Sequence, residues 1–332
     1  MVTSRDVAQH AGVSQATVSR VLNGSPRVSA TTIARVQDAI AALDYHPNAA
    51  AASMKTRRTG TIGIIIDQLS NPFFVEVLES LAQVFADAGQ RVLVWDPSHH
   101  EDAAIRALRD RTVDGVVIAA WQDDSPAMQA ALASGRPVVM LNRRPSGTGF
   151  DSVTSENRAG GRLVAHYLAA HRPGPALFVA GRPGTSTAQD RAEGFLAGLA
   201  EAGAPPPAIV DGDYSAETAL QAVRAHVEEH GAPSSLFCAN DLMAFGALNA
   251  LAVDGVRVPD DTWVVGFDDV AMAGWPVIGL TTVSQHSRDM ARAGADMLLS
   301  RIRDGGDDWA HRTFPARLIV RTSTAGVPAQ AH

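Results

Sequence analysis

A single cysteine, Cys238, stands in the 332 residues, so no disulfide can close within the chain and no cysteine-rich zinc site can be built. The opening stretch, Met1 to His10, has neither the basic start nor the apolar run of a secretory signal, and no later apolar run approaches the length of a membrane span. These absences set the expectation of a cytoplasmic protein with no membrane partner. Phosphate-loop chemistry is missing as well. There is no Walker sequence, and Gly181-Arg182-Pro183-Gly184 reads as a turn, since a proline sits where a dinucleotide fingerprint would open its helix. His99 and His100 lack a matching ligand set nearby and read as solvated loop residues, and Asp268-Asp269 has no nucleophile or nucleotide loop to serve. No catalytic residue, metal or cofactor is expected.

What is present is apolar material for more than one core: 46% of the residues are hydrophobic, and at this length two or three compact units are expected. Charge divides along the chain. Met1 to Gly60 holds seven Lys/Arg (Arg5, Arg20, Arg27, Arg35, Lys55, Arg57, Arg58) against three acids (Asp6, Asp38, Asp44), a net of +4. The remainder then carries −11 of the overall −7. A small basic head on an acidic body is the asymmetry expected where only the head meets phosphate, because like charge discourages unproductive contact by the body.

The head reads as short helices. Thr3 or Ser4 can cap one through Val7, Ala8 and Ala11; Gly12 breaks it; Ser14 can cap a second carrying Val18, Val21 and Leu22. A third is expected over Thr31 to Leu43 with Ser29 as its cap, and Asp44-Tyr45-His46-Pro47 ends it. Asn48 to Lys55 has high helix propensity, little apolar surface and too few residues for a stable helix alone. From Thr61 the pattern becomes short apolar strands alternating with helical stretches. The strands are expected at Ile62–Ile66, Val92–Trp95, Val116–Ile118, Val138–Leu141, Leu177–Val179, Leu236–Cys238 and Trp263–Val265. Continuous Val/Ile/Leu runs indicate strands buried on both faces, hence doubly wound parallel sheets. Ligands of such sheets bind at the carboxyl ends of the strands, which here read Asp67, Asp96, Asn142, Asn240-Asp241 and Asp268-Asp269.

The run from Asp6 to Asn23, Asp-Val-Ala-Gln-His-Ala-Gly-Val-Ser-Gln-Ala-Thr-Val-Ser-Arg-Val-Leu-Asn, suits a helix-turn-helix: Ala8 is small where the helices approach, Gly12 permits the turn and Val18 seals the pair. It also closely resembles the head of the lactose-repressor (LacI/GalR) family. The resemblance implies that Gln15, Ala16 and Arg20 read bases, Arg20 through guanine O6 and N7, Gln15 through adenine and Ala16 by a methyl contact alone. It implies phosphate contacts at Ser14, Thr17, Ser19, Asn23, Arg27, Ser29 and Thr32. Ile33 stands where the family usually carries a basic residue, which puts one phosphate clamp in doubt. Pro47 to Lys55 resembles the family's hinge helix, which folds on DNA and enters the minor groove as a symmetric pair. Met54 takes the place of the usual leucine wedge, with Ala51 and Lys55 beside it.

The resemblance extends through the body in Asn71-Pro72-Phe73-Phe74, Arg191-Ala192-Glu193-Gly194-Phe195, Ala239-Asn240-Asp241, Val265-Gly266-Phe267-Asp268-Asp269 and Leu280-Thr281-Thr282-Val283-Ser284-Gln285. It implies an all-α helix-turn-helix head plus an α/β body of two doubly wound parallel-sheet lobes of periplasmic-binding-protein type, with an effector in the cleft. The expected domains are 1–46 (helix-turn-helix), 47–60 (hinge) and 61–332 (effector binding and dimerisation). Within the last, one lobe takes about 61–155 and 286–314, the other about 156–285 and 315–332. Arg191 and Asp268 are the implied principal effector contacts, Phe73 or Phe74 and Tyr214 the aromatic faces, and Asn240, Gln285, Glu156 and Thr187 further contacts. Trp275 either stacks on a sugar or packs the lobe junction, and Trp121 has the same two readings; Trp95 and Trp263 belong to cores. Arg143 and Arg144 either meet an anionic effector or form a solvated loop pair. The expected protein is a repressor controlled by a sugar or sugar derivative and binding a pseudo-palindromic double-stranded operator; the alternative is a cytosolic small-molecule-binding protein or enzyme of the same fold. It is expected to be a homodimer, since the sequence ends at His332 without the leucine-repeat tail of the family's tetramers.

Overall fold

A computed structural model describes residues 2–22, 25–45, 58–66, 68–119, 126–143 and 149–324, and of 97–101 and 127 the backbone alone. The chain divides into two units, Met1–Thr59 and Gly60–His332. In the first, three helices, α1 (Ser4–Ala11), α2 (Gln15–Leu22) and α3 (Ala30–Ala42), enclose a small core of Val7, Ala8, Ala11, Val18, Val36, Ala39 and Tyr45. Their ends are fixed by polar residues. Thr3 Oγ1 accepts from the Asp6 N–H while Asp6 accepts from the Thr3 N–H at 2.8 Å, a reciprocal cap that also holds the Asp6 carboxyl below its usual range. Gly12 ends α1 at φ 61°, a left-handed conformation glycine adopts without penalty. Ser14 Oγ then accepts from the Thr17 N–H at 3.1 Å to start α2, and Ser29 Oγ from the Thr32 N–H at 3.3 Å to start α3.

The second unit carries two parallel sheets. The larger contains β1 (Thr61–Ile66), β2 (Arg91–Trp95), β3 (Gly115–Ala119), β4 (Val138–Leu141), β5 (Asp151–Ser155) and β11 (His311–Phe314), in the order β11-β5-β4-β3-β1-β2. The smaller contains β6 (Ala176–Ala180), β7 (Ala208–Asp211), β8 (Ser235–Cys238) and β9 (Trp263–Val265), in the order β7-β6-β8-β9. Between consecutive strands run α4 (Pro72–Asp87), α5 (Pro97–Arg109) and α6 (Pro126–Ala133) in the first lobe, and α8 (Ser186–Glu201), α9 (Ala216–His230) and α10 (Asp241–Val253) in the second. The chain changes lobe three times: from β5 into α7 (Asn157–His171), from β10 (Thr282–Ser284) into α11 (Ser287–Asp304), and from β11 into β12 (Arg317–Ile319). β10 and β12 pair antiparallel, Val283 opposite Leu318.

The seven apolar runs read as strands all form strands, and the reason is visible in β1, whose six residues are all buried. Ile62, Ile64 and Ile66 pack toward Phe73, Val77, Leu81 and Phe85 of α4, while Ile65 faces the opposite core with Trp95 and Leu108. Each such side chain contributes about 1.5–3 kcal/mol on burial, enough to hold β1 in register with both neighbours. Two details differ from expectation. β2 is an edge strand, so Leu93 and Val94 are exposed rather than buried on both faces. His99 and His100 fall in α5, not in a loop. Among the described residues no helix is long and apolar enough to cross a membrane.

Candidate functional site

At the carboxyl ends of the strands the two lobes line a cleft. The first lobe contributes Gln68, Asn71, Phe73 and Phe74 after β1, and Asn142 and Arg143 after β4. From the second come Arg182, Thr185, Thr187 and Arg191 after β6, Tyr214 after β7, Asn240 after β8 and Asp268 after β9. This is where open parallel sheets offer a site, because helix N-termini and loop backbone converge there while apolar strands hold them rigid.

Local structure explains each position. Asn71 Oδ1 caps α4 by accepting from the Phe73 N–H at 3.0 Å, and Pro72 follows at the first helical position; together they aim Phe73 and Phe74 at the cleft as an edge-to-face pair 5.2 Å apart. Asn240 caps α10 by accepting from Met243 N–H at 2.8 Å. Tyr214 Oη and Thr187 Oγ1 share a hydrogen bond of 3.2 Å. Four lining residues that are not glycine, Gln68, Asn142, Tyr214 and Asp268, have positive φ (58°, 56°, 57° and 145°). Such backbone costs about 1–3 kcal/mol per residue and gathers where ligands are clamped.

Arg191 is the centre of the polar wall. It is only 2% exposed, donates from Nε to Asn157 Oδ1 at 2.8 Å and from Nη1 to the Ala239 carbonyl, and lies over the Phe267 ring at 3.9 Å. Asp268 Oδ1 is 3.6 Å from Arg191 Nη1 and accepts from Gln285 Nε2 at 2.5 Å. Burial pushes the Asp268 carboxyl well above the usual carboxylate range, against the opposing pull of the Arg191 guanidinium. Gln285 Oε1 in turn accepts from Ser155 Oγ at 2.8 Å, and Asn157 Nδ2 donates to the Ser155 carbonyl. Ser155 and Asn157 flank the first lobe crossing and Gln285 the second, so the wall of the cleft and two of the three crossings form one hydrogen-bonded unit.

Of the implied effector contacts, Phe73, Phe74, Thr187, Arg191, Tyr214, Asn240 and Asp268 line this cleft together. Three fall elsewhere. Gln285 is fully buried behind Asp268 and acts on it rather than on the cleft. Glu156 is exposed at the start of α7, its N–H donated to the Phe314 carbonyl. Trp275 is 51% exposed at the end of a short 3-10 helix, Ala271–Gly274, and lines no part of the cleft. Trp95 and Trp263 are buried as expected of core residues. Arg143 is 8% exposed, which removes the reading of a solvated loop residue. Arg182, Thr185, Gln68 and Asn71 line the cleft without having been singled out for it; their signal was position, each following directly on the end of β6 or β1.

In the head, Gln15, Ala16 and Arg20 are exposed on α2, Ala16 and Arg20 on the face away from buried Val18. Ser14 and Thr17 hydroxyls lie 2.9 Å apart, as do those of Ser29 and Thr32; Ser19 is half-buried and Arg27 exposed. Gln15 Nε2 donates to Ser4 Oγ at 2.8 Å. Arg35, counted above only for its charge, is a structural tie: its Nη2 donates to the Ala11 and Gly12 carbonyls at the end of α1. Asn23, the hinge residues Ala51, Met54 and Lys55, and Asp67, Trp121 and Arg144 lie outside the described residues.

Comparison with known proteins gives two matches that divide the chain between them. Residues 3–48 match the bacterial regulatory proteins of the lacI family, and residues 59–322 the periplasmic binding proteins and sugar binding domain of the LacI family. The chain is 33% identical to the ribose operon repressor of Halalkalibacterium halodurans, over 98% of each. It is 30% identical to the HTH-type transcriptional repressor PurR of Photobacterium profundum, over 97% of this chain and 98% of that one. Its structure resembles the lac repressor dimer bound to operator and the anti-inducer ONPF, with a TM-score of 0.84 and 28% identity, covering 98% and 99% of the two chains.

Proposed function

Since the chain belongs to the LacI family of bacterial regulatory proteins, we propose that its head holds operator DNA and that the cleft of its body holds the small molecule which decides whether it does. The observation that carries this reading is the composition of the cleft wall. Both lobes line it, and Arg191, Asp268, Gln285, Ser155 and Asn157 connect it by hydrogen bonds to the segments in which the chain passes between the lobes. A ligand held from both sides favours the closed arrangement by its differential affinity for it, and closure is then felt at the crossings.

On the DNA side, Arg20, Gln15 and Ala16 read bases from α2, while Ser14, Thr17, Ser19, Asn23, Arg27, Ser29 and Thr32 set register on phosphate. Two copies of the chain form the working unit, in keeping with the dimeric lac repressor, and read a pseudo-palindrome in successive major grooves with Ala51, Met54 and Lys55 at the minor groove between. The protein acts in the cytoplasm and turns over no substrate; the relatives named above are repressors. Sugars or their derivatives are the effector class, supported by the sugar-binding description of the matched family and by the aromatic pair Phe73 and Phe74 in the wall.

The test is Asp268→Ala, followed by fluorescence anisotropy on labelled operator with and without effector. DNA binding persists and the effector response disappears. An unaltered response in this variant removes Asp268, and with it the wall described here, from the effector site.

A further inference from the structure

Ala271, three residues beyond Asp268, donates its N–H to Glu76 Oε1 at 2.7 Å. The two ends of this bond belong to different lobes. Glu76 stands on α4 of the first, two residues after Phe74, and Ala271 opens the short 3-10 helix that follows β9 of the second. An N–H at the start of a helical turn is commonly met by the side chain of the residue before it, but that residue is Val270, which carries no acceptor and makes no side-chain cap. Glu76 provides the acceptor from across the lobe boundary.

The run from Asp268 to Ala271 is fastened at every residue. Asp268 donates its N–H to the Val283 carbonyl at 2.9 Å, Asp269 Oδ1 accepts from Arg321 Nη2 at 2.6 Å, and Val270 donates its N–H to Asp241 Oδ2 at 3.0 Å. A run held in this way moves as one piece, so a ligand group that fixes Asp268 in the cleft also fixes the N–H offered to Glu76. Beside the bond, Glu76, Asp269 and Ala271 share a groove with Ser284, His286 and Ser287 of the second lobe crossing, where His286 has a left-handed φ of 56°. The bond therefore lies next to a segment about which the lobes can turn. Rotation there carries α4 away from Ala271, and a hydrogen bond weakens steeply once it is lengthened or bent.

We propose that Glu76 is a positioning residue for the effector response, a latch that ties the lobes in the arrangement where both line the cleft and so sets how tightly an effector is held. Glu76 lines the groove at the crossing rather than the cleft, and acts through Ala271 and the run to Asp268. The inference rests on the cleft being the effector site. It makes part of the effector's affinity a property of a contact the effector never touches, because the apparent affinity scales with the fraction of the protein already in the competent arrangement.

The experiment compares the full chain with Glu76→Ala, Glu76→Gln and Ala271→Pro. Glu76→Gln keeps an acceptor. Ala271→Pro removes the donor and suits its place, since Val270 has the extended backbone (φ −65°, ψ 152°) that a following proline prefers, and the first helical position tolerates proline. Hydrogen–deuterium exchange without ligand comes first. In Glu76→Ala and Ala271→Pro, peptides spanning 138–143 and 182–188, on facing walls of the cleft and apart from the latch, exchange about three- to tenfold faster, and Glu76→Gln stays close to wild type. Unchanged exchange, or a change confined to the surroundings of 76 and 271, overturns the proposal, and this result decides alone where no sugar binds.

Calorimetry with ribose, glucose, galactose and cellobiose follows. A sugar that binds the wild type loses about three- to tenfold in affinity in Glu76→Ala and in Ala271→Pro, no more in the two combined, and little in Glu76→Gln. Equal affinities, or losses that add in the combined variant, overturn the proposal. Fluorescence anisotropy on a duplex selected by the wild type from a random pool then gives a sign. Effector-free Glu76→Ala shifts duplex affinity in the direction opposite to the shift that the sugar causes in the wild type, because one change opens the lobes and the other closes them. A shift in the same direction overturns the proposal. Asp268→Ala separates the two levels of failure. A sugar that still binds Asp268→Ala removes the cleft as the effector site, whereas a sugar lost in Asp268→Ala and unaffected by Glu76→Ala leaves the site and removes only the latch.

Discussion

Asp241 is completely buried at the start of α10, with Thr282 Oγ1 at 2.5 Å from Oδ1 and the Val270 N–H donated to Oδ2 at 3.0 Å. Burial outweighs these hydrogen bonds and raises the carboxyl to about 7. An unfolded aspartate ionises near 3.8, so between about pH 4 and 7 the folded chain holds a proton that the unfolded chain has lost. Stability therefore falls as pH rises through that window and levels off above it. Asp241→Asn, which keeps the shape and cannot ionise, removes up to about 1.4 kcal/mol of this decline per pH unit, read from urea melts at a series of pH values. On the DNA side, Arg20→Ala loses about 1–3 kcal/mol of operator affinity and relaxes base preference at one position of each half-site, measured by competition with substituted duplexes. The same scale shows what could be read in advance. Arg191, Asp268 and the two phenylalanines stand in strings whose neighbours announce them. Gln285 stands in one too, but whether a glutamine touches the ligand or the residue behind it depends on a few ångströms of depth that sequence does not record. For Asn142 the position at a strand end was legible, and for Arg143 two readings stood open; only the fold reveals that both line one cleft with Arg182.

Among the elements, α7 and α8 are packed as closely as backbone allows. A Cβ on Gly161 would lie 2.3 Å from the Arg191 carbonyl oxygen and 2.9 Å from the Phe195 nitrogen. Gly161→Ala forces the helices apart; it is expected to lower stability by about 1–3 kcal/mol in the denaturant midpoint, with an unchanged m-value, and to weaken effector binding by moving Arg191. Strand legibility follows apolar composition. β1, β3, β4 and β8, buried throughout, are continuous apolar runs in the sequence. β5, Asp151-Ser152-Val153-Thr154-Ser155, and β11, His311-Arg312-Thr313-Phe314, are mostly polar and carry no such run. They pair with each other at one end of the large sheet, fixed by Arg301, which donates to both Asp151 carboxylate oxygens at 2.8 and 3.1 Å, and by Ser152 with His311. Contacts so distant along the chain leave no local periodicity to find.

For the whole molecule, charge is segregated between a basic head and an acidic body. Operator affinity therefore falls steeply with salt, and Arg27→Ala reduces the slope of log affinity against log salt by about 1 while leaving base preference intact, measured by titrating the labelled operator at several sodium chloride concentrations. An unchanged slope removes Arg27 from the phosphate contacts. The placement of β11 has a consequence of another kind. The first lobe's sheet is finished by residues 311–314, which a ribosome adds only after all of the second lobe that precedes β12. Until the stretch 301–314 emerges, β5 has an open edge and Asp151 has neither Arg301 nor the Ala310 N–H to meet its charge. The nascent chain must then carry an incomplete first lobe while the second folds, which makes this edge the place for a chaperone to guard and a stalled translation product the form most prone to pair with its neighbours.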